Sequence, residues 1–361
     1  MNVLFVLSKK NWGGVNTWAT SVINHLAQNG HKVTLVTSRR SPALPIVSSV
    51  KQRRISFGFD FNPVAPIYFL ALILSQKIDL VMANVEKDIM SVGLACKLLK
   101  IPLIRRIGRE QDFNPKSRKT KFIHQTFVTH GFCTSKAVAD ATYRRCDWIK
   151  TEIKFVYSGI ESKEIAPDEI AALRQALKLD KNDRVLGITA RLSQEKRIDF
   201  LIEVFAPLLR ERNNIKLVIA GKGGEEEKLR KIAEDRGVNK SVIFAGYTDR
   251  PLLFAALYDI CYLPTAYESF PFSVIEYMAA GKPTIASNVG GIPEGITDGE
   301  NGFLIEPNDG EKLLSYTIKL LDDEKLRKIM GENARKRFLE RHSAAQMTKN
   351  VEAYFLSILK R

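Results

Sequence analysis

The same arrangement of short apolar runs around a helical stretch occurs at the start of the chain and again in its second half. Asn2–Leu7 and His31–Thr37 enclose a helical stretch that stops at Gly30, and Arg184–Ala190 and Lys216–Ala220 enclose another. Two strands joined through a helix pair in parallel within one sheet. Because the pattern starts again midway through 361 residues, the sequence predicts an α/β protein with two consecutive parallel-sheet domains.

Further apolar runs extend this pattern in both halves. In the first half we predict strands at Leu80–Ala83, Leu103–Ile107 and Phe127–Thr134. The helices predicted between and after them are Asp88–Lys100, Ser117–His124 and Ser135–Tyr143. In the second half we predict a helix at Ile198–Arg212 and strands at Val242–Phe244, Asp259–Pro264, Pro283–Ala286 and Phe303–Ile305. The change-over lies around 155–168, so we predict domains at 1–160 and 161–340, followed by a last helix at 341–361.

No long apolar segment interrupts this pattern. Val64–Leu74 contains Pro66 and is well short of the ~20 residues that span a bilayer, so we favour a core helix over a membrane-dipping one. Val3–Leu7 reaches Lys9 and Lys10 without a cleavage-site pattern, which predicts no secretory signal. The 4 cysteines form no CxxC pair, which is typical of reduced thiols in a cytoplasmic protein.

Positive charge is concentrated in one half of the chain. Residues 1–160 contain 24 Lys and Arg against 9 Asp and Glu, whereas residues 161–361 contain 31 of each kind. Such asymmetry predicts an anionic partner for the first half, either an acidic membrane leaflet, a phosphorylated glycan or nucleic acid, the alternative being a merely soluble basic surface. The basic pairs lack interleaved aromatics, which disfavours a nucleic-acid reader; they are Arg39-Arg40, Arg53-Arg54, Arg105-Arg106 and Arg144-Arg145.

Two loops that follow predicted strands carry candidate phosphate ligands. Gly13 and Gly14 follow the first strand, where glycines let phosphate oxygens approach backbone N–H groups, although GxGxxG and GxxxxGKS/T are absent and a simple tight turn is equally consistent. Arg191 and Lys196 occupy the corresponding loop of the second half. A guanidinium fork and an ammonium together suit a diphosphate leaving group, whereas the alternative is two solvated surface cations.

Two carboxylates, Glu268 and Glu276, flank the start of a predicted helix near Pro271. The helical rise places them on the order of 12 Å apart, which exceeds the roughly 5–9.5 Å of a glycosidase pair. This spacing suits the two ends of one extended ligand, with helix N-terminal amides between them for phosphates. One carboxylate would bind sugar hydroxyls and the other ribose hydroxyls.

These candidate residues and several glycine-containing runs together resemble the retaining GT-B glycosyltransferases of family 4. The resemblance rests on Glu268 with Glu276, Arg191 with Lys196, and the Gly13-Gly14 loop. It also rests on Ser158-Gly159-Ile160-Glu161, Ala220-Gly221-Lys222-Gly223, Gly281-Lys282-Pro283-Thr284-Ile285-Ala286 and Gly290-Gly291-Ile292-Pro293-Glu294. It covers nearly the whole chain and is densest from 156 to 307.

The resemblance implies a fold and a set of residue roles. Two Rossmann-like domains would face a central cleft, and the last helix would pack back on the N-terminal domain. Arg191 and Lys196 would bind the donor diphosphate, Glu268 the transferred sugar and Glu276 the ribose, while Gly14 would close over the phosphates. The other implied donor contacts are Gly13, Gly221, Gly246, Tyr247, Phe270, Pro271 and Phe272.

The sequence departs from the family pattern at one loop. Many relatives place a histidine after the strand that here is Leu103–Ile107, but this chain has Gly108, Arg109 and Glu110 there, and its 5 histidines lie elsewhere. No catalytic histidine is therefore assigned. Arg109 and Glu110 are candidate acceptor or sugar contacts, although both also suit solvated loop charges.

The expected function is transfer of a sugar, with retention, from a nucleoside-diphosphate sugar, UDP favoured, to a saccharide or lipid-linked acceptor of lipopolysaccharide core or another cell-surface polysaccharide. The enzyme would use no cofactor. It would also need no metal ion, because the sequence contains no Asp-x-Asp pattern and Arg191 with Lys196 can supply the positive charge. It would lie on the cytoplasmic face of the membrane and bind no nucleic acid. The alternatives are a nucleotide-sugar epimerase of the same fold and a basic nucleic-acid-binding protein.

Overall fold

The computed structural model describes residues 1–8, 14–41, 43–57 and 64–360. These residues form two compact units. The first unit contains Met1–Gly159 together with Ala344–Arg361, and the second contains Ile160–Ser343. Gly13, a predicted donor contact, lies outside the described residues.

Within its described residues, the first unit holds a parallel sheet of seven strands in the order β3-β2-β1-β4-β5-β6-β7. The strands are β1 (Asn2–Leu7), β2 (Lys32–Ser38), β3 (Lys51–Ile55), β4 (Leu80–Ala83), β5 (Leu103–Ile107), β6 (His130–Cys133) and β7 (Ile153–Phe155). The helices are α1 (Gly14–Gln28), α2 (Val64–Gln76), α3 (Glu86–Leu99), α4 (Arg118–Phe127) and α5 (Lys136–Arg145).

The second unit, described without gaps, holds a six-stranded parallel sheet in the order β10-β9-β8-β11-β12-β13. The strands are β8 (Arg184–Thr189), β9 (Ile215–Ala220), β10 (Val242–Gly246), β11 (Ile260–Leu263), β12 (Thr284–Ser287) and β13 (Gly302–Ile305). The helices are α6 (Pro167–Ala176), α7 (Ile198–Glu211), α8 (Glu226–Asp235), α9 (Pro251–Leu257), α10 (Phe272–Ala279), α11 (Ile292–Gly295), α12 (Gly310–Asp322) and α13 (Glu324–Arg337). The prediction of two doubly wound parallel-sheet domains is confirmed.

The last helix, α14 (Ala344–Leu359), belongs to the core of the first unit. Its apolar residues recur at helical spacing, and Met347, Val351 and Phe355 are fully buried beside β1 and α1. On the polar side of the same helix, the Glu352 carboxylate lies 3.0 Å from His25 Nε2 and 2.6 Å from His31 Nε2. Apolar packing and these polar contacts together fix the end of the chain to its beginning.

Two strands of the first sheet escape the sequence patterns. β3 is an edge strand bonded to β2, and its residues are almost all exposed, so it shows no alternation of apolar and polar side chains. β7 at the other edge has 3 residues. The predicted run Phe127–Thr134 is too long, because Phe127 ends α4 and the strand begins at His130.

The prediction that α2 is a core helix is wrong for one of its faces. Ala65, Phe69, Leu72 and Ile73 are buried, but Val64, Ile67 and Leu74 of the same helix are exposed. A run that is apolar on every face gives no indication of which face packs on the sheet. Among the described helices, none combines the length and the apolar character needed to cross a bilayer.

Candidate functional site

A cleft of about 510 Å³ opens at the carboxyl edge of the second sheet. It lies where the strand order reverses between β8 and β11, which is the usual ligand position in an open α/β sheet. The loops that follow β8, β9, β10 and β11 form its walls together with the start of α10. The lining residues are Thr189, Ala190, Arg191, Lys196, Ala220, Gly221, Lys222, Tyr247, Thr248, Pro251, Glu268, Pro271, Phe272, Ser273 and Glu276.

Lys196 and Glu268 form an ion pair inside this cleft. The Lys196 Nζ atom lies 2.5 Å from Glu268 Oε1, and the two side chains are 14% and 18% exposed. The family resemblance assigns these residues to different parts of a ligand, and nothing in the sequence predicts their contact. The pair presents an ammonium with further N–H donors and a carboxylate with free acceptor capacity side by side, which suits a ligand that carries both phosphates and hydroxyls.

Glu195, to which the sequence assigned no role, joins the loops that carry this pair. Its backbone oxygen accepts hydrogen bonds of 2.8 Å from both Thr265 Oγ1 and the Ala266 N–H, so the loop after β8 is tied to the loop after β11. Its carboxylate pairs with Arg191 at 2.5 Å. The Arg191 side chain is 70% exposed, so its guanidinium lines the cleft from the solvent side.

Two glycines hold the backbone of the site through close approaches that exclude a side chain. At Gly221, which has φ +148°, a Cβ atom would lie 1.8 Å from the carbonyl oxygen of Ala190. At Gly290, which has φ +55°, it would lie 1.6 Å from the carbonyl oxygen of Glu268. The Gly290 turn therefore supports the backbone of Glu268 directly. What these two glycines touch is determined by the tertiary structure and could not be predicted from the sequence.

Glu276 lies in the cleft wall on α10, partly buried, with no hydrogen-bond or ion-pair partner among the described residues. Burial raises the pKa of its carboxyl group to about 7, because nothing nearby compensates the loss of hydration. Pro271 caps the helix, which begins at Phe272. A carboxylate without a partner at the edge of a cleft is a ready acceptor for ligand hydroxyls.

Not every predicted site residue reaches the cleft. Phe270 is buried in the core, where its ring stacks on His342 with the centroids 5.1 Å apart. Gly246 lies just behind the lining, and its carbonyl oxygen accepts the Gly221 N–H at 2.7 Å. These two residues support the walls of the cleft, while their neighbours Pro271 and Tyr247 line it.

The remaining predicted residues lie in the first unit. Gly14 begins α1. Arg109 is exposed and lies 3.7 Å from Asp112, and Glu110 begins a short 3₁₀ helix, its side chain being outside the described atoms. Across the described residues, no group of three His, Cys, Asp or Glu side chains is arranged to hold a metal ion.

Two doubly wound units with a cleft at the switch point of the second are typical of the GT-B architecture, and sequence comparison agrees. The family model for glycosyl transferases group 1 matches residues 169–337, and the model for glycosyltransferase family 4 matches residues 12–164. Together the two models span almost the whole chain. The chain therefore belongs to the group 1 glycosyltransferases.

Individual proteins show the same likeness. An uncharacterised glycosyltransferase of Methanocaldococcus jannaschii is 26% identical over 97% of this chain and 96% of its own length. Several other curated relatives are matched over about half of their length. Among solved structures, Anabaena HepE in complex with UDP has a TM-score of 0.83 at 20% identity and covers 99% of this chain and 100% of its own. WaaG, a glycosyltransferase involved in lipopolysaccharide biosynthesis, has a TM-score of 0.71 at 19% identity, over 97% of this chain and 98% of its own.

Proposed function

We propose that this chain transfers a sugar, with retention of anomeric configuration and without a metal ion, from a UDP-sugar to a saccharide or lipid-linked acceptor in cell-surface polysaccharide synthesis, with lipopolysaccharide core as the leading case. The observation that carries the proposal is the Lys196–Glu268 pair inside the cleft at the switch point. The UDP bound to HepE and the role of WaaG in lipopolysaccharide biosynthesis support the donor and the acceptor class.

In this mechanism the cleft stabilises the departing nucleoside diphosphate. As the bond between the anomeric carbon and the phosphate oxygen breaks, negative charge grows on the phosphate, and Lys196 and Arg191 stabilise that charge. Glu268 binds hydroxyls of the transferred sugar, and Glu276 binds the ribose. The acceptor hydroxyl forms the new bond on the face that the diphosphate leaves, and a phosphate oxygen takes its proton, which retains the configuration.

The decisive experiment is a panel of nucleotide sugars. Each is tested for thermal stabilisation of the full chain, since a ligand at 100 times its Kd stabilises by about 2.7 kcal/mol. The stabilising donor is then incubated with saccharide and lipid-linked acceptors. A product that needs an acceptor supports the transferase, whereas conversion of the nucleotide sugar alone indicates an epimerase, and stabilisation by nucleic acid only would overturn both.

Activity is expected to persist in excess EDTA. The cleft presents Lys196 and Arg191 where a metal ion would otherwise balance the diphosphate charge, and these cations are part of the chain. The rate of transfer is measured with EDTA and after addition of Mg²⁺ or Mn²⁺. Complete loss of transfer that either metal restores would contradict the proposed mechanism.

The affinity for the donor is expected to rise with pH through neutrality. Glu276 accepts two hydroxyl hydrogen bonds when it is ionised, and with a pKa of about 7 it is mostly ionised at pH 8 and mostly protonated at pH 6. Donor affinity should therefore fall about tenfold from pH 8 to pH 6 in a calorimetric titration. The intact nucleotide sugar is used because its diphosphate does not titrate in this range. Glu276→Gln should bind more weakly at pH 8 and show no pH dependence, and an equal dependence in both proteins would exclude this role.

A lipid-linked acceptor lies in a membrane, so the enzyme needs a surface that binds lipid, and we assign that surface to the first unit. Exposed apolar side chains occur on α2, α3 and α4, which pack side by side. We call these three helices with their exposed basic side chains the docking face. Its apolar members are Val64, Ile67, Leu74, Leu94, Leu98 and Phe122, and its basic members include Lys97, Lys100, Arg118, Lys119 and Lys121. Apolar and basic side chains together suit an anionic lipid surface.

Binding of the protein to anionic vesicles is expected to exceed binding to neutral ones and to fall with salt. Each basic side chain near the lipid contributes about 1 kcal/mol, screened beyond a Debye length. Co-sedimentation is measured for wild type and for the variant in which Arg118, Lys119 and Lys121 of the docking face, together with Lys116 just before α4, are changed to Ser. The matched control changes the exposed Lys231, Lys240, Lys325 and Lys328 of the second unit to Ser. Equal binding to both lipids, or equal loss in both variants, would leave the charge as a solubility feature.

A further inference from the structure

The first sheet also has a switch point, and a buried side chain connects the two strands that meet there. The strand order reverses between β1 and β4, and Ser8 and Asn84 follow these two strands at their carboxyl ends. We call this edge of the sheet, which is the usual ligand position of an open α/β sheet, the crevice. The buried Asp88 carboxylate joins the two ends by accepting the Ser8 N–H at 2.9 Å and the Asn84 N–H at 3.2 Å. Since backbone groups occupy this carboxylate, Asp88 serves to shape the crevice.

The Arg106 guanidinium reaches this edge of the sheet from β5. Its Nη1 donates to Asn84 Oδ1 at 3.4 Å, and its central carbon lies 4.8 Å from the centroid of the Trp18 ring on α1. The residue is 4% exposed. The sequence lists Arg106 among the basic pairs of the first half, and the structure places it inside the sheet.

The charge of Arg106 is not balanced within the described protein. The guanidinium forms no ion pair with a described carboxylate, and its Nε has no hydrogen-bond partner. Asp112 acts on it from a distance, but the Asp112 carboxylate accepts the backbone N–H groups of Gly108 and Arg109 at 2.8 and 2.9 Å. Burial lowers the pKa of Arg106 to about 10, so the side chain stays charged at neutral pH.

The surroundings of Arg106 differ from those of its neighbour in the strand. Arg105, the preceding residue on the opposite face of β5, also has guanidinium nitrogens without a hydrogen-bond partner, Nε and Nη1, but its guanidinium lies 3.8 Å from the Phe113 centroid and donates a 3.0 Å hydrogen bond to the Asp112 carbonyl oxygen. Arg106 instead ends among residues of the crevice. Trp18, whose ring lies against it, also has an indole N–H without a partner among the described residues. The guanidinium and the indole N–H are both buried donors at a ligand position, and the described protein supplies no anion to either of them.

We propose that Arg106 binds an oxyanion, a phosphate or carboxylate group, carried by the sugar acceptor in the crevice between β1 and β4. The assignment to the acceptor rests on the proposed function, because the donor cleft has its own cations. The substrate class is thereby narrowed to acceptors that carry a phosphate or carboxylate group. Neutral saccharides would leave the guanidinium desolvated and unpaired, which disfavours them.

The test uses the full chain and two probes, inorganic phosphate and malonate, titrated at constant ionic strength with chloride. Thermal stabilisation is measured for wild type, Arg106→Met, Arg106→Lys, Lys196→Ala and a control, Arg144→Met, which removes the same charge from an exposed position of the first unit. Methionine fills a similar volume without a charge, so Arg106→Met should be at least as stable as wild type without a probe. UDP binding is measured in parallel as the readout of the donor cleft.

We expect at least one probe to stabilise wild type, Arg144→Met and Lys196→Ala. In Arg106→Met its apparent Kd should rise about tenfold or more while UDP binding is unchanged, with Arg106→Lys intermediate. The probe that responds distinguishes phosphate from carboxylate. The proposal is overturned if neither probe stabilises wild type, if the response is lost in Lys196→Ala and kept in Arg106→Met, or if Arg106→Met is markedly less stable without a probe. If wild type does not bind UDP, that result contradicts the proposed function and not the role of Arg106.

Discussion

Replacing Lys196 by alanine is expected to lower kcat/KM for transfer about 10²- to 10³-fold while the fold is retained. The ammonium would stabilise charge that develops only as the diphosphate leaves, and removal of one such group typically has an effect of this size. The change also leaves the Glu268 carboxylate without its partner at 2.5 Å. Transfer is measured as the initial rate of product formation over a range of donor concentrations, which gives kcat/KM, and folding is measured by circular dichroism and thermal unfolding.

A matched control separates this role from that of an ordinary ion pair. Lys228 pairs with Glu225 at 3.3 Å on the surface of the second unit, so Lys228→Ala should change neither activity nor stability appreciably. Because an unpaired buried carboxylate can destabilise the protein, the double variant Lys196→Met/Glu268→Gln removes both charges. It should fold as well as wild type and remain inactive. Near-normal turnover in Lys196→Ala, Glu268→Ala or the double variant would refute the site assignment.

Replacing Gly290 by alanine is expected to destabilise the protein by about 2–4 kcal/mol and to reduce transfer further than the loss of folded protein explains. The new Cβ would add the strain of a positive φ to a collision with the Glu268 carbonyl oxygen, so the backbone that presents the Glu268 carboxylate must move. Stability is measured by denaturant unfolding, and transfer is measured per folded molecule.

Gly299 provides the control for backbone conformation alone. It has φ +77°, but a Cβ there would meet no atom within 4 Å. Gly299→Ala should therefore destabilise by about 1 kcal/mol and leave transfer per folded molecule unchanged. If both alanine variants behave alike, the contact between the Gly290 turn and the Glu268 backbone has no part in the activity.

The fold was predictable from the sequence where burial of an element requires a recognisable run of apolar residues. β1 and β4 coincide with apolar runs, because central parallel strands are covered on both faces. The edge strands β3 and β7 lack such an apolar run, since their pairing depends on a neighbouring strand more than on their own composition. The exposed face of α2 was unpredictable for a related reason, as an apolar run does not state which side meets the sheet.

The candidate site was predictable in its chemistry and less so in its contacts. The sequence indicated cations after β8 and carboxylates around the start of α10, and Arg191, Lys196, Glu268 and Glu276 all line one cleft. Contacts across the sheet edge carry no local signal. The Lys196–Glu268 pair joins residues 72 positions apart, and the burial of Arg106 within β5 runs against its own polarity.

The return of α14 to the first unit bears on how the protein is made. Met347, Val351 and Phe355 complete the core that begins with β1, yet the whole of the second unit, Ile160–Ser343, is translated between them. During translation, part of the apolar interior of the first unit therefore stays uncovered until α14 has left the ribosome. The second unit, in contrast, is encoded by one continuous stretch of the chain. Nascent chains should acquire protease resistance in the second unit first, and a chain truncated before Ala344 should leave the first unit dependent on chaperones.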